Sequence, residues 1–146
     1  VSSIEEYKFY NPESFLIVLI HWGNEYQETN SSQQQKLAHA MIDAGADLII
    51  GHHPHVVQNI ELYNEKLIFY SLGNFIFDQY FSEETQQGLV VGLEIYPEEK
   101  IYSIYPVESV LSQPQLMEEP EEFLEKLASN SSEELRESIK AGKIIR

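Results

Sequence analysis

Cysteine is missing from this sequence, which excludes disulfides, thiolate zinc centres and cysteine nucleophiles while leaving the compartment open. Basic residues are scarce: 9 Lys and Arg stand against 24 Asp and Glu, for a net charge of -15. Such a field repels phosphate backbones and anionic lipid, so no nucleic-acid partner is expected. Much of the acid lies toward the C-terminal end, as in "MEEPEEFLEK", where it solvates a helix face. Long hydrophobic runs are also lacking, since "FLIVLI" falls far short of the roughly 18 residues of a membrane span. No targeting segment is recognisable, but the first residue is Val1 rather than methionine, so that absence says nothing of location. What is present is ordinary globular material. With 146 residues, 42% hydrophobic and 12% aromatic, the chain suits one domain with a real core.

Phe15 to Ile20 is continuously apolar and rich in β-branched residues, which predicts a strand buried on both faces. A polar loop, "HWGNEYQETNSS", follows it. Ser32 with Gln35 reads as a capping box opening a helix through about Ala44, with Leu37, Ala38, Met41, Ile42 and Ala44 as its buried stripe. Gly45 ends the helix, and "DLIIG" is a second short strand. Strand, helix, strand at this spacing predicts a βαβ unit with parallel strands. Two hairpins follow, one turning at Asn64-Glu65-Lys66 and one at "PEEK". Beyond Gln113, helices are expected near Glu121–Ala128 and Ser132–Ala141, the second capped by Ser132. The fold class is therefore α/β: a βαβ unit, then β-hairpins, then an acidic helical tail. The organisation divides as 1–112 for the mixed body and 113–146 for the tail.

Three of the five histidines stand in "GHHPHVVQ", directly after the second strand, and His21 directly follows the first. Parallel neighbours end at the same sheet edge, so His21 and the loop carrying His52, His53 and His55 are brought together. The carboxyl edge is where α/β sheets place their ligands. Clustered imidazoles repel one another when protonated, whereas neutral rings present lone pairs suited to zinc, manganese or iron. On spacing alone, a loop of solvated, hydrogen-bonded histidines stands as the alternative. Pro54 biases His53 toward extended geometry. If the stretch is extended, His53 and His55 share a face and His52 points away. If it coils after Gly51, that alternation fails.

"HWGNEY", "AGADLIIGHHPHVVQ" and "YSLGNFIFDQ", in this order, resemble the C-terminal half of the bacterial capsule-synthesis CapA family, over roughly Phe15 to Tyr96. The resemblance implies part of a calcineurin-like metallophosphoesterase α/β sandwich serving poly-γ-glutamate capsule production. It also implies divalent metal ions (Mn, Zn or Fe) held by a strand-end histidine and a G-H-x-H element. Those fall on His21 and the 51–55 loop, with His53 and His55 as the H-x-H pair and His52 more peripheral. His21 and His53 would share one ion and His55 would reach another. The superfamily's remaining ligands come from an N-terminal half, and nothing in "VSSIEEYKFY" can supply them, so about half of a two-metal site is expected.

Other candidates are weaker. Glu25 is a candidate general acid/base or supporting carboxylate, with plain solvation as its alternative. Asn74 and Asp78 in "SLGNFIFDQ" are candidate catalytic groups by resemblance, and turn residues by local chemistry. Trp22 and Tyr26 line a pocket or simply pack. His39, on the polar helix face, is expected to be inert, and Asp47 to be a turn residue. Two functions are carried forward. One is a metal-dependent phosphoesterase-like hydrolase acting on a phosphorylated or polymeric envelope substrate alongside other capsule-synthesis proteins, in the cell envelope or outside the cytoplasm. The other is a non-catalytic assembly subunit that binds polymer or a partner.

Overall fold

The computed structural model describes residues 1–146. In chain order the elements are α1 (Ser2–Tyr10), β1 (Ile17–His21), α2 (Ser32–Asp43), β2 (Leu48–His52), β3 (Ile60–Tyr63), β4 (Lys66–Phe69), β5 (Gln87–Ile95), β6 (Lys100–Val110), β7 (Gln113–Leu116), α3 (Glu121–Asn130), α4 (Arg136–Lys140) and β8 (Lys143–Ile145). This is a mixed α/β architecture with two sheets. The first has the order β1-β2-β4-β3, in which β1 and β4 both run parallel to β2 and β3 returns antiparallel. In the second, β5 pairs along most of β6, while β7 and β8 share the other side of β6 at opposite ends. No helix is long and apolar enough to cross a membrane.

Strand β2 is buried throughout Leu48–Gly51 because both its faces are covered. Leu48 and Ile50 join Leu67 and Phe69 against the second sheet and the C-terminal helices, and Ile49 and Ile68 meet Ala38, Met41 and Ile42 of α2. Strand β1 differs from the expectation of two buried faces. It is an edge strand, and only Val18 and Ile20 pack against the α2 side. Leu19 is 71% exposed. A continuous apolar run records the residues but not whether a neighbour lies over them.

Helix α2 begins one residue earlier than the capping expectation. Ser31 is the N-cap and forms the reciprocal box with Gln34. The run "SSQQQ" satisfies the capping template in both registers, and tertiary contact decides between them: Gln34 is buried and its Nε2 donates to Gln58 Oε1. The buried stripe rotates with that choice to Gln34, Ala38, Met41 and Ile42, leaving Leu37 exposed. At the other end Gly45, at φ 111°, donates to Ile42 O while Ala46 donates to Met41 O. These are the two bonds of a Schellman stop, as the glycine predicts. The first hairpin turns on Asn64 and Glu65, both at positive φ, and the second joins Ile95 to Lys100.

Residues 113–146 share the main core with the rest of the chain: Leu124, Leu127, Ala128, Leu135, Ile139 and Ile144 are buried among Ile50, Phe69, Leu89 and Ile104. They also supply two strands, β7 and β8, that helical periodicity does not reveal. Ser132 makes no cap hydrogen bond. Its Oγ accepts from Leu62 N–H and Ser131 Oγ accepts from Ile60 N–H, satisfying the outer edge of β3. Asp47, expected only to turn the chain, accepts from Leu16 N–H and forms ion pairs with Lys8 and Lys66. Burial would raise its pKa, but the Leu16 N–H and the two ammonium groups outweigh that and hold the carboxyl below its ordinary value. His39 lies away from the sheet edge, stacked on Tyr63 with its Nε2 2.8 Å from Glu61 Oε1, so it ties α2 to β3.

Candidate metal centre

His21 and His52 are directly opposed in the β1–β2 register, so the parallel pairing delivers both to the carboxyl edge. The loops beyond are fastened to each other. Trp22 N–H donates to His52 O, and Tyr26 N–H donates to Pro54 O at 2.8 Å. Trp22 itself packs: it is buried, stacks on Tyr70 and donates its indole N–H to Tyr70 O. Gln58 Nε2 donates to Gln27 O and Thr29 O, holding the far end of the 22–30 loop. The Gln34–Gln58 amide pair thus anchors the segment that carries Glu25. Nothing in the local pattern marks those glutamines as site supports.

The alternation expected for an extended His52–His55 stretch does not occur. His52 ends β2, and the chain then coils, with His53 at φ 104° and His55 at φ 61°. Two non-glycine residues at positive φ are uncommon and costly unless the surroundings impose them. Here the coil, rather than the pleat, turns His53 and His55 toward one another. Their ring centroids lie 6.0 Å apart, and those of His21 and His53 4.7 Å apart. Ligand atoms of Glu25, His53 and His55 all fall within 4.8 Å of one another. The sequence reading offered Glu25 as an acid/base or supporting group; the fold sets its carboxylate beside two imidazoles.

Asn74 stands behind His55. It is buried, its Oδ1 lies 2.9 Å from His55 Nδ1, and its Nδ2 donates to Thr85 O. The backbone carbonyl fixes which end of the amide is the donor. Oδ1 must therefore accept and His55 Nδ1 carries a proton, so in the neutral ring it is Nε2 that presents the lone pair. Asn74 Nδ2 also reaches Gln79 Oε1, and Gln79 Nε2 donates to the Tyr26 hydroxyl, closing a chain of contacts around the His55 ring. Asp78 is exposed and takes no part in the Glu25–His53–His55 group. His52 has its pKa lowered, first by burial and then by the charge of His21, which favours a neutral ring. Tyr26, Phe77 and Phe81 line the approach: Phe77 lies 4.9 Å from the His55 ring and Phe81 edges onto Tyr26.

The family described as bacterial capsule synthesis protein PGA_cap matches residues 1–79, a span that contains every one of these histidines, Glu25, Asn74 and Asp78. The chain belongs to this family. Among its relatives, the capsule biosynthesis protein CapA of Bacillus anthracis is 52% identical over 75 residues, covering 51% of this chain and 18% of the relative. The PGA biosynthesis protein CapA of Bacillus subtilis (strain 168) is 53% identical over 75 residues, covering 51% of this chain and 20% of the relative. A probable polyglutamine synthesis accessory protein of Mycobacterium tuberculosis is 36% identical over 67 residues, covering 46% of this chain and 18% of the relative. The aligned part of the chain thus spans about one fifth of the length of these curated relatives.

The donor set can be tested against the divalent ions the family resemblance implies. Two imidazole nitrogens and a carboxylate suit zinc, manganese or ferrous iron, and the absence of thiolate or thioether ligands disfavours soft ions such as Cu(I). The residues fit such an ion.

Proposed function

We propose that this chain contributes the histidine edge of a divalent-metal hydrolase centre of the metallophosphoesterase type, acting in capsule polymer biosynthesis. The observation that carries the reading is the gathering of His21, His53, His55 and Glu25 at one sheet edge, with the His55 tautomer set by Asn74. The names of the relatives, which concern capsule, PGA and polyglutamine synthesis, support the process. The substrate is a phosphorylated or polymeric envelope molecule, the partners are other capsule-synthesis proteins, and the setting is the cell envelope.

An ion bound here, whether Mn, Zn or Fe, supplies Lewis acidity and a bound water of lowered pKa. This chain's own groups do the rest. His53 and His55 present nitrogen lone pairs, and Asn74 keeps the His55 proton on Nδ1. Phe77 and Tyr26 pack beside the His55 ring. A net charge of -15 repels an anionic substrate, so cations at this edge also have an electrostatic task. The test is hydrolysis of bis(p-nitrophenyl) phosphate by the full-length protein with manganese. His53→Ala and His55→Ala should each remove most of the rate and His52→Asn should retain it. Turnover that survives both chelation and the two alanine variants would sink the reading.

The non-catalytic alternative draws on a separate observation. Phe75, Ile76, Phe77, Tyr80 and Phe81 are all exposed, and Phe77 packs beside His55 while Phe81 edges onto Tyr26, as expected of a binding surface near the histidines. Polymer binding with no turnover in the same assay would favour it.

A further inference from the structure

We propose that Gln58 is a positioning residue of the histidine edge: with Gln34 it holds the main chain of the 22–30 loop, and so fixes where Glu25 and Tyr26 stand against His53 and His55. This deepens the hydrolase reading above and rests on it. The loop has no core of its own, since none of residues 23–30 is buried. The Glu25 side chain is exposed, yet its carboxylate lies within 4.8 Å of ligand atoms of His53 and His55. Its place is therefore set by the main chain.

That main chain is fastened across the edge in rising order. Trp22 N–H donates to His52 O and Tyr26 N–H to Pro54 O. Gln58 Nε2 then donates to Gln27 O at 2.8 Å and to Thr29 O at 3.1 Å, and Asn30 N–H donates to Asn59 Oδ1. Gln58 takes two loop carbonyls at once, from a side chain that is 1% exposed. Facing two carbonyls, that end of the amide must be its NH2 group, so Oε1 must accept. Gln34 Nε2 supplies the donor at 2.8 Å, which leaves Gln34 Oε1 to accept from Ser31 N–H at the α2 cap. Every bond from the cap to the loop carbonyls thus has a fixed direction, and turning either amide over breaks at least two of them. Gly23 closes the near side: at φ 90° it lies so close to the Gln34 amide that a Cβ there would fall 2.6 Å from Nε2. Both ends of the loop rest on one amide pair. A fully paired buried network has one preferred geometry, whereas a loop of exposed residues without it has many. Gln58 stands three residues beyond His55, so the segment that presents the imidazoles also grips the loop that faces them.

The experiment compares the full-length protein with two variants. Gln58→Met keeps the side chain's length and removes its donors and acceptor. Gln34→Glu still accepts from Ser31 N–H, sparing the cap, but sets an oxygen against Gln58 Oε1. Hydrogen–deuterium exchange read by mass spectrometry should quicken by about 10–100-fold in peptides from residues 23–30 of both variants, while β1 and β2 exchange as in the parent. Leu135→Ala, a core substitution outside this network, should leave residues 23–30 at the parental rate. Hydrolysis of bis(p-nitrophenyl) phosphate with manganese should fall by about 10–100-fold in kcat with KM little changed, because the loop's groups are misplaced rather than removed. Parental circular dichroism checks that folding is not the cause, and if Gln58→Met does not fold, Gln34→Glu decides. Three results each overturn the proposal: parental exchange in residues 23–30, exchange that rises equally in the loop and in β1 and β2, or a freed loop with parental kcat. A parent without turnover sinks the hydrolase reading instead, and the exchange of residues 23–30 then decides the role of Gln58 by itself.

Discussion

Replacing Asn74 by leucine removes one side chain and disturbs two functions that can be read separately. Asn74 is buried, and it accepts from His55 Nδ1 while donating to Thr85 O at 2.9 Å. Leucine keeps the volume but strands the Thr85 carbonyl, at about 1–3 kcal/mol for a buried acceptor left alone, and forfeits the net worth of the bond to His55, about 1 kcal/mol. A total of roughly 2–4 kcal/mol corresponds to a fall in Tm of about 5–15 °C for a chain of this size. The His55 ring is then free to change tautomer and tilt, which should weaken cobalt(II) binding by about 10–100-fold. Asn74→Asp separates the two effects. It keeps an oxygen facing His55 Nδ1 but turns an oxygen on the Thr85 carbonyl, so it should lose stability while holding metal more nearly as the parent does. The assays are thermal melting of the metal-free chain by circular dichroism and cobalt titration of each variant. An Asn74→Leu chain that melts early yet binds cobalt with parental affinity would refute any role for Asn74 in aiming His55.

Gly51→Ala would place a methyl carbon 2.0 Å from Tyr70 O and 2.5 Å from Trp22 Nε1, wedging open the hydrogen bond between them. A loss of about 2–4 kcal/mol in urea denaturation is expected from overpacking and the broken bond, and a loss below about 1 kcal/mol would contradict the packing described. Asp47 titrates below its ordinary value of 3.8 in the folded chain, so its stabilising contribution is present above that pH and lost as pH falls through the lower folded value. The urea midpoint of Asp47→Asn should therefore lie well below the parent's at pH 7, with the gap narrowing progressively as pH falls below 3.8; a gap that stays constant through the acid range would refute the ion-pair reading. Leu135→Ala, at a fully buried position, should cost about 2–5 kcal/mol. Trp22 fluorescence and far-UV circular dichroism should report that loss in one shared transition, since residues 113–146 lie in the common core; two separate transitions would show the C-terminal part to be its own unit.

The sequence by itself determined the frame. Two short apolar runs around a helix with a glycine stop encode β1, α2 and β2, and parallel pairing then sends His21 and His52 to one edge with no further information. Asn64-Glu65 and "PEEK" encode the hairpins, because turn chemistry is local. The tertiary structure decided what local pattern leaves degenerate. Two capping templates overlap at Ser31 and Ser32, and the buried Gln34–Gln58 pair selects the first. An apolar β1 reads the same whether covered or at an edge. Most of all, ring directions in the 51–55 loop follow from bonds to segments far away in the chain: Tyr26 N–H to Pro54 O, and Asn74 to His55. A two-residue period holds only for a pleated strand, and at His53 and His55 the backbone has left the pleat. Glu25 had no sequence signal as a ligand for the same reason, since its nearness to those rings is fixed by contacts between loops and not by spacing along one of them.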